Sequence, residues 1–203
     1  MDKPKGSREI NNNQVKKGFF PFFRNIVEDV DYEVSSKIQI FRTKIGTYFW
    51  KSLSFLGLPF IWSGIVIILF ILDIYHMAYV LILAGLSPLL IIIPLKKSIN
   101  RKRPYFTYED IKPLTREKNS SFPSGHTYYI TVSSFGLAFC YGGTTTLIIA
   151  TVISILVAVS RVYQGVHYLS DVIIAFFLSI IIGFIISIFF PQIMLLHELS
   201  FLI

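Results

Sequence analysis

Five long apolar segments constrain the fold of this 203-residue chain more than any other feature. They cover residues 53–72, 77–95, 127–141, 144–160 and 172–190. A helix needs about 20 apolar residues to cross a bilayer, and the first, second and fifth segments reach that length. The fourth is marginal, and the third is short unless its helix begins near Gly125. With 53% hydrophobic residues and a mean hydropathy of +0.62, the sequence predicts an all-α integral membrane bundle of about five transmembrane helices.

The region before the first apolar segment predicts an amphipathic helix within residues 19–50. Its apolar residues recur every three or four positions, as one face of a helix requires. They are Ile26, Val30, Val34, Ile38, Phe41 and Ile45. Such a helix either covers the end of the bundle or lies at the membrane interface, and the two arrangements are compatible. Residues 1–18 are polar and predict a disordered tail, followed by a single domain over 19–203.

The distribution of basic residues predicts the orientation in the membrane. Of the 19 Lys and Arg, ten precede residue 52, eight lie within 96–118, and the last is Arg161. With five spans all of them fall on one side, which the positive-inside rule assigns to the cytoplasm. This role explains the net charge of +7 without a nucleic-acid partner. Asn119 begins an N-glycosylation sequence, and a glycan found there would contradict the predicted orientation.

Three short polar segments lie on this same basic side, at residues 96–104, 123–126 and 160–171. An ionisable group inside a membrane costs roughly 2.5–3.5 kcal/mol at the helix centre, so such groups usually serve a function. The ionisable residues of the three segments include Lys96, Arg103, His126, Arg161, His167 and Asp171. Three cations, two imidazoles and one carboxylate together predict a site for an anionic group, with phosphate the first candidate.

The first two segments carry groups suited to holding phosphate oxygens. Lys96 and Arg103 are seven residues apart, which predicts that they share one helix face before Pro104 ends or kinks the helix. Ser124 and Gly125 precede the third apolar segment, where free backbone N–H groups suit an anion.

The third segment predicts a paired imidazole and carboxylate. Asp171 is four residues beyond His167, so the two share a face if the stretch is helical. The carboxylate then accepts from one ring nitrogen and leaves the other free to attack. A simple salt link at the end of a span is the alternative interpretation. His126, in the second segment, is able to donate a proton near neutral pH.

Together the motifs K-x6-R-P, P-S-G-H and S-R-x5-H-x3-D resemble the type 2 phosphatidic acid phosphatase superfamily, which shares its active-site pattern with vanadium haloperoxidases. The resemblance implies that His167 is the nucleophile that forms a phospho-histidine, that Asp171 orients it, and that His126 protonates the leaving oxygen. It also implies an enzyme that needs no metal or other cofactor. The implied phosphate-binding groups are Lys96, Arg103, Ser124, Gly125 and Arg161.

The substrate implied is a lipid phosphate or diphosphate. The compact form and the Gly57-Leu58-Pro59 stretch resemble the polyisoprenoid diphosphate phosphatase subgroup, which includes presqualene diphosphate phosphatase. Phosphatidic acid and phosphatidylglycerophosphate are alternative substrates, and a lipid phosphotransferase or a non-catalytic lipid-binding protein are alternative functions. The expected location is the endoplasmic reticulum in a eukaryote or the plasma membrane in a prokaryote. The oligomeric state is left open.

Overall fold

The computed structural model describes the backbone of residues 19–200 and the side chains of residues 24–191, and this part of the chain is helical without strands. The predicted disordered tail over 1–18 lies outside the described residues. The helices are α1 (Phe19–Lys37), α2 (Lys44–Phe55), α3 (Pro59–Ile71), α4 (Tyr75–Leu90), α5 (Ile92–Ile99), α6 (Pro104–Thr107), α7 (Gly125–Tyr141), α8 (Thr144–Tyr163) and α9 (Leu169–Ser200).

Within the described residues, three helical stretches are long and apolar enough to cross a membrane. They are Tyr75–Thr107, Thr144–Tyr163 and Leu169–Pro191. A fourth span results if α2 and α3, which meet at a bend of 52°, count as one. The all-α membrane fold is therefore confirmed. Helix α7 does begin at Gly125, but its 17 residues fall short of the usual span, so the count of five remains a prediction.

Helix α7 lies at the centre of the bundle, in contact with α4, α8 and α9. Small residues allow this close packing, because a Cβ atom on Gly183 of α9 would lie only 3.1 Å from the backbone nitrogen of Gly136 in α7. The surrounding helices also bury hydroxyl side chains of α7, including Thr127 and Thr131. This central helix holds the P-S-G-H segment at one end of the bundle.

The amphipathic region is not one continuous helix. After α1 and the 3-10 helix Ile38–Phe41, the chain becomes extended at Arg42, and Thr43 then caps α2 by accepting from the backbone N–H of Gly46 at 3.0 Å. The Arg42 guanidinium donates to the carbonyl of Tyr163 at 2.7 and 3.0 Å, and this tertiary contact stabilises the break. Hydrophobic periodicity alone does not reveal such an interruption.

Helix α1 packs against α9, while apolar side chains that follow it remain exposed. The exposed fractions are 79% for Ile40 and 84% for Ile45. Exposed apolar side chains of this kind suit contact with lipid. Both predicted arrangements of the N-terminal region therefore agree with the structure.

The first apolar segment is broken at residues 56–58. Leu58 is extended (φ −88°, ψ 135°) and Pro59 opens α3. Proline disfavours the helical conformation in the residue before it and is well tolerated at the first position of a helix. The Gly57-Leu58-Pro59 stretch thus forms the bend between α2 and α3.

Candidate active site

Arg103 and His167 lie in direct contact at the centre of the site. Arg103 is 1% exposed, and its Nη1 lies 3.3 Å from Nε2 of His167 and 2.7 Å from the carbonyl oxygen of Val166. Its Nε donates to the carbonyl of Asn119 at 2.9 Å. These bonds hold the guanidinium next to the ring nitrogen expected to attack.

The predicted shared helix face of Lys96 and Arg103 is wrong. Helix α5 ends at Ile99, Asn100 adopts a left-handed conformation with φ 43°, and Arg103 is extended. Pro104 begins the short helix α6 instead of ending a longer one, because its fixed φ suits the first helical position. Lys96 Nζ donates to the carbonyl of Ser120 at 2.6 Å. Tertiary contacts to residues 119 and 120, and not helix periodicity, bring the two cations to the site.

His167 lies in the loop before α9, so the condition of a helical stretch from His167 to Asp171 is not met. The chain turns at Gly165 (φ 72°), and α9 begins at Leu169 with Asp171 in its first turn. Nδ1 of His167 is nevertheless 3.4 Å from Oδ2 of Asp171. The same oxygen accepts from the backbone N–H of Tyr168 at 3.0 Å. The carboxylate is thereby fixed beside the ring.

These contacts determine the tautomer of His167. Nδ1 faces the carboxylate of Asp171, which accepts a proton, whereas Nε2 faces the guanidinium of Arg103, which donates one. A neutral ring therefore carries its proton on Nδ1 and a lone pair on Nε2. Burial lowers the pKa of His167 to about 4, against the opposing hydrogen bond from Asp171. The ring is neutral at pH 7, as a nucleophile requires.

The carboxylate of Glu117 lies between Arg161 and Arg103 and joins them. Glu117 Oε2 accepts from Nη2 of Arg103 at 2.7 Å, and Glu117 Oε1 accepts from Nη2 of Arg161. Nη1 of Arg161 donates to the hydroxyl of Ser54 at 2.6 Å. Burial alone would raise the pKa of Glu117, but the guanidiniums of Arg161 and Arg103 lower it to about 2. Glu117 is therefore an anion held by two buried cations.

The start of α7 contributes the P-S-G-H residues. Ser124 is fully buried, and its backbone N–H donates to the carbonyl of Asp171 at 3.2 Å, which joins α7 to α9. The space beside the Cα of Gly125 is open. Gly57 packs closely against His126, because a Cβ on Gly57 would lie 2.7 Å from both the Cβ and the carbonyl oxygen of His126. The bend between α2 and α3 thus supports the backbone of His126.

A cavity of about 640 Å³ opens beside these groups. It is lined by Lys51, Ser54, Phe55, Leu58, Thr115, Glu117, Lys118, Asn119, His126, Arg161 and Gln164. Two buried donors on its wall, Nε of Arg161 and Nε2 of Gln164, have no hydrogen-bond acceptor among the described residues. Because a buried donor without a partner is costly, both atoms suit a ligand that brings acceptor oxygens.

Sequence reasoning missed Arg101 and Glu117. Arg101 donates to Asp171 Oδ1 and to Asp31 Oδ2, each at 2.7 Å, and its guanidinium lies 4.0 Å from the ring centroid of Tyr168. In the sequence it is one of the eight basic residues within 96–118 that predict the orientation. Glu117 did have a signal, since it is the only acidic residue between positions 111 and 170 and lies in a strongly basic loop.

The structure brings Arg103, His126, Arg161, His167 and Asp171 around one end of α7, with Lys96 held close by through Ser120. In the described part of the chain, His, Cys, Asp and Glu side chains form no group of three suited to a metal ion. The fold and this arrangement define a helical membrane protein with buried cations gathered around a histidine–aspartate pair.

Residues 73–194 match the model of the PAP2 superfamily, which is more than half of the chain. The chain belongs to this superfamily, and the resemblance drawn from the three motifs is confirmed. Phosphatidylglycerophosphatase B of Bacillus subtilis (strain 168) is 38% identical over 102 residues, which cover 46% of this chain and 48% of that protein. The chain thus matches about half the length of this curated relative.

Two crystal structures are also similar. One is described as the first transmembrane PAP2-type phosphatidylglycerolphosphate phosphatase from Bacillus subtilis; it is 28% identical, with a TM-score of 0.71, over 83% of this chain and 88% of that one. The other is LpxE of Aquifex aeolicus, 27% identical, with a TM-score of 0.68, over 77% of this chain and 93% of that one. Both match the fold of this chain over most of their length.

Proposed function

We propose that the chain is a membrane phosphohydrolase that removes the terminal phosphate of a lipid phosphate. The observation that carries the proposal is the position of His167 Nε2, which is unprotonated and lies 3.3 Å from a guanidinium nitrogen of Arg103. A phosphoryl group held by Arg103 and Arg161 would lie in reach of this nitrogen. Electrostatic stabilisation of the phosphoryl oxygens is the main contribution expected in phosphoryl transfer.

In the first step, His167 Nε2 forms a bond to phosphorus while the bond from phosphorus to the lipid oxygen breaks. Burial and the nearby Arg161 lower the pKa of His126 to about 3, so we propose that the bound phosphate dianion raises this pKa and keeps His126 protonated. His126 then gives its proton to that oxygen, and the dephosphorylated lipid leaves. Asp171 stabilises the positive charge that develops on the His167 ring through its bond at Nδ1. The phosphoryl oxygens are held by Lys96, Arg103, Arg161, Ser124 and the Gly125 amide.

In the second step, water attacks phosphorus, the bond to Nε2 breaks, and inorganic phosphate is released. His126, now neutral, takes the proton of the attacking water and returns to its starting state. The chemistry is assigned to side chains, so chelation with EDTA should leave turnover intact.

For the lipid, we put phosphatidylglycerophosphate first. The matching relative and one of the matching crystal structures are named for this activity. Lys51 and Lys118 also line the cavity beyond Arg161. Two further cations favour a head group with a second phosphate over phosphatidic acid, which has only one.

A polyisoprenoid diphosphate is the second candidate. The same two lysines suit its second phosphate, and the bend at Gly57-Leu58-Pro59 resembles that subgroup. Phe55 and Leu58, at this bend, form an apolar wall of the cavity, and α3, which follows the bend, has exposed apolar side chains that include Phe60 and Ile67. This wall gives either lipid tail a path to the bilayer, on the side that the basic residues assign to the cytoplasm.

The test is a phosphate-release panel on the purified chain in mixed micelles. It compares phosphatidylglycerophosphate, polyprenyl diphosphates and phosphatidic acid, with His167→Asn as the inactive control and mass spectrometry of the products. Turnover of the first lipid with release of inorganic phosphate supports the proposal. Equal activity of the His167→Asn protein, or transfer of the phosphoryl group to an acceptor other than water, contradicts it.

A further inference from the structure

Glu117 lies between the two arginines that the proposed reaction assigns to the phosphoryl group. Its two oxygens accept from Nη2 of Arg103 and from Nη2 of Arg161. The side chains of these arginines are 0% and 3% exposed, so both guanidiniums are shielded from solvent. The carboxylate therefore occupies the same donors that the proposed reaction requires for the phosphoryl oxygens.

The geometry makes the two anions mutually exclusive. Arg103 spans from His167 to Glu117, with Nη1 at 3.3 Å from Nε2 of the histidine and Nη2 at 2.7 Å from the carboxylate. A phosphorus atom attacked by Nε2 and held by both arginines would place its oxygens where the carboxylate oxygens now lie. Glu117 must swing away before the substrate reacts.

The main chain at Glu117 is held in place while its side chain has room to move. The Tyr105 hydroxyl donates to the carbonyl of Glu117 at 2.8 Å and accepts from its N–H at 3.2 Å. The side chain is 26% exposed and lines the open cavity. Displacement therefore requires a rotation of one side chain and leaves the loop anchored.

We infer that Glu117 is a specificity-determining residue: an internal anion that keeps the two arginines occupied and sets the minimum charge a head group needs to enter. This inference rests on the proposed function for the identity of the substrate. Because Glu117 competes for the same donors, it weakens the binding of every external anion by the same factor. A terminal phosphate, with a charge of about −1.5 to −2 at pH 7, still displaces it.

A phosphodiester head group has a single negative charge, no more than the carboxylate it would replace. Such a head group therefore binds the two arginines too weakly to displace the Glu117 carboxylate. This matters because a protein in a bilayer is surrounded by phosphodiester lipids at far higher concentration than any lipid with a terminal phosphate. Glu117 would protect the site from occupation by these lipids and by its own dephosphorylated product.

The experiment compares the full chain with Glu117→Gln in detergent. Binding of inorganic phosphate and of dimethyl phosphate is measured by calorimetry, and inhibition of turnover by phosphatidylglycerol is measured in mixed micelles. We expect Glu117→Gln to bind both soluble anions at least tenfold more tightly, to show a lower KM, and to become sensitive to phosphatidylglycerol. Glu109→Gln, the same substitution at an exposed position of the same loop, should match the unaltered chain.

Unchanged or weaker anion binding by folded Glu117→Gln would overturn the inference, as would a loss of kcat at constant KM, which would place Glu117 on the reacting atoms. If Glu117→Gln folds only in the presence of phosphate, that dependence supports the inference, because the arginines then require an external anion. Glu117→Asp, which keeps the charge, should retain weak anion binding, and tight binding by this variant counts against it. The calorimetric result does not depend on turnover, so a failure of the proposed lipid activity remains distinguishable.

Discussion

Replacement of Gly57 by alanine should disable the site without touching any charged residue. Gly57 lies at the bend between α2 and α3, and its φ is outside the left-handed region, so alanine suits the backbone. The added Cβ would nevertheless lie 2.7 Å from the Cβ and the carbonyl oxygen of His126 and 2.9 Å from its Cα. Two of these neighbours are backbone atoms, which cannot rotate away.

The size of the effect follows from these distances. Ordinary contacts of a Cβ atom begin at 3.4 Å, so at 2.7 Å the shortfall is about 0.7 Å. His126 must move by roughly that amount, together with the start of α7. A displacement of about 1 Å at a catalytic group costs on the order of 10²-fold in rate. Overpacking should also cost about 1–3 kcal/mol of stability.

The assay measures kcat for lipid phosphate release and the thermal unfolding midpoint in detergent. Gly64→Ala is the matched control, because a Cβ at that position in α3 has no atom within 4 Å. We expect Gly57→Ala to lose about 100-fold in kcat, while Gly64→Ala retains both activity and stability. If folded Gly57→Ala kept kcat within about twofold, the position of His126 would not limit the reaction, and its role as proton donor would be refuted.

Three further predictions concern buried ionisable groups. Asp31→Asn should lower stability by about 1–3 kcal/mol and reduce activity, because buried Asp31 holds Arg101 and the backbone N–H of Ser170 beside the site. Asp29→Asn, on the exposed face of α1, should change neither stability nor activity. Unfolding midpoints and kcat of the two variants test this prediction. Because burial lowers the pKa of His167 from 6.5 to about 4, the unfolded chain takes up a proton first as the pH falls, and stability should drop by about 3 kcal/mol between pH 6.5 and 4. His167→Asn should reduce this drop in stability, measured by thermal unfolding, by that amount and leave only the part that the lowered pKa of His126 contributes; an undiminished drop would contradict the burial of a neutral ring. The lowered pKa of Glu117 contributes stability above pH 4.5 that is lost as the pH falls toward 2, a second step that Glu117→Gln should remove.

Hydropathy predicted the membrane helices well because burial in lipid acts on whole segments. The segments 144–160 and 172–190 lie within α8 and α9, and the turn at 142–143 falls where two glycines separate α7 from α8. The breaks within predicted helices were not anticipated. The interruption at Arg42 depends on a carbonyl at Tyr163, more than 100 residues away, and no local pattern encodes that contact.

The motif residues of the candidate site are recognisable in the sequence because each is adjacent to others in a characteristic spacing. Their partners were not. Arg101 reaches Asp31 on α1 and Asp171 on α9, and Glu117 reaches two arginines from an irregular loop. Such contacts are set by tertiary packing, so their function becomes apparent only when the helices are assembled.

The central claim is that His167 accepts the phosphoryl group, and a direct trap of the phospho-enzyme tests it. The purified chain is mixed with lipid labelled in its terminal phosphate, quenched at alkaline pH within one turnover, and digested for mass spectrometry. The account predicts transient label on the peptide that carries His167, at Nε2, and none in His167→Asn. Turnover without any labelled protein, or label on another residue, would contradict it.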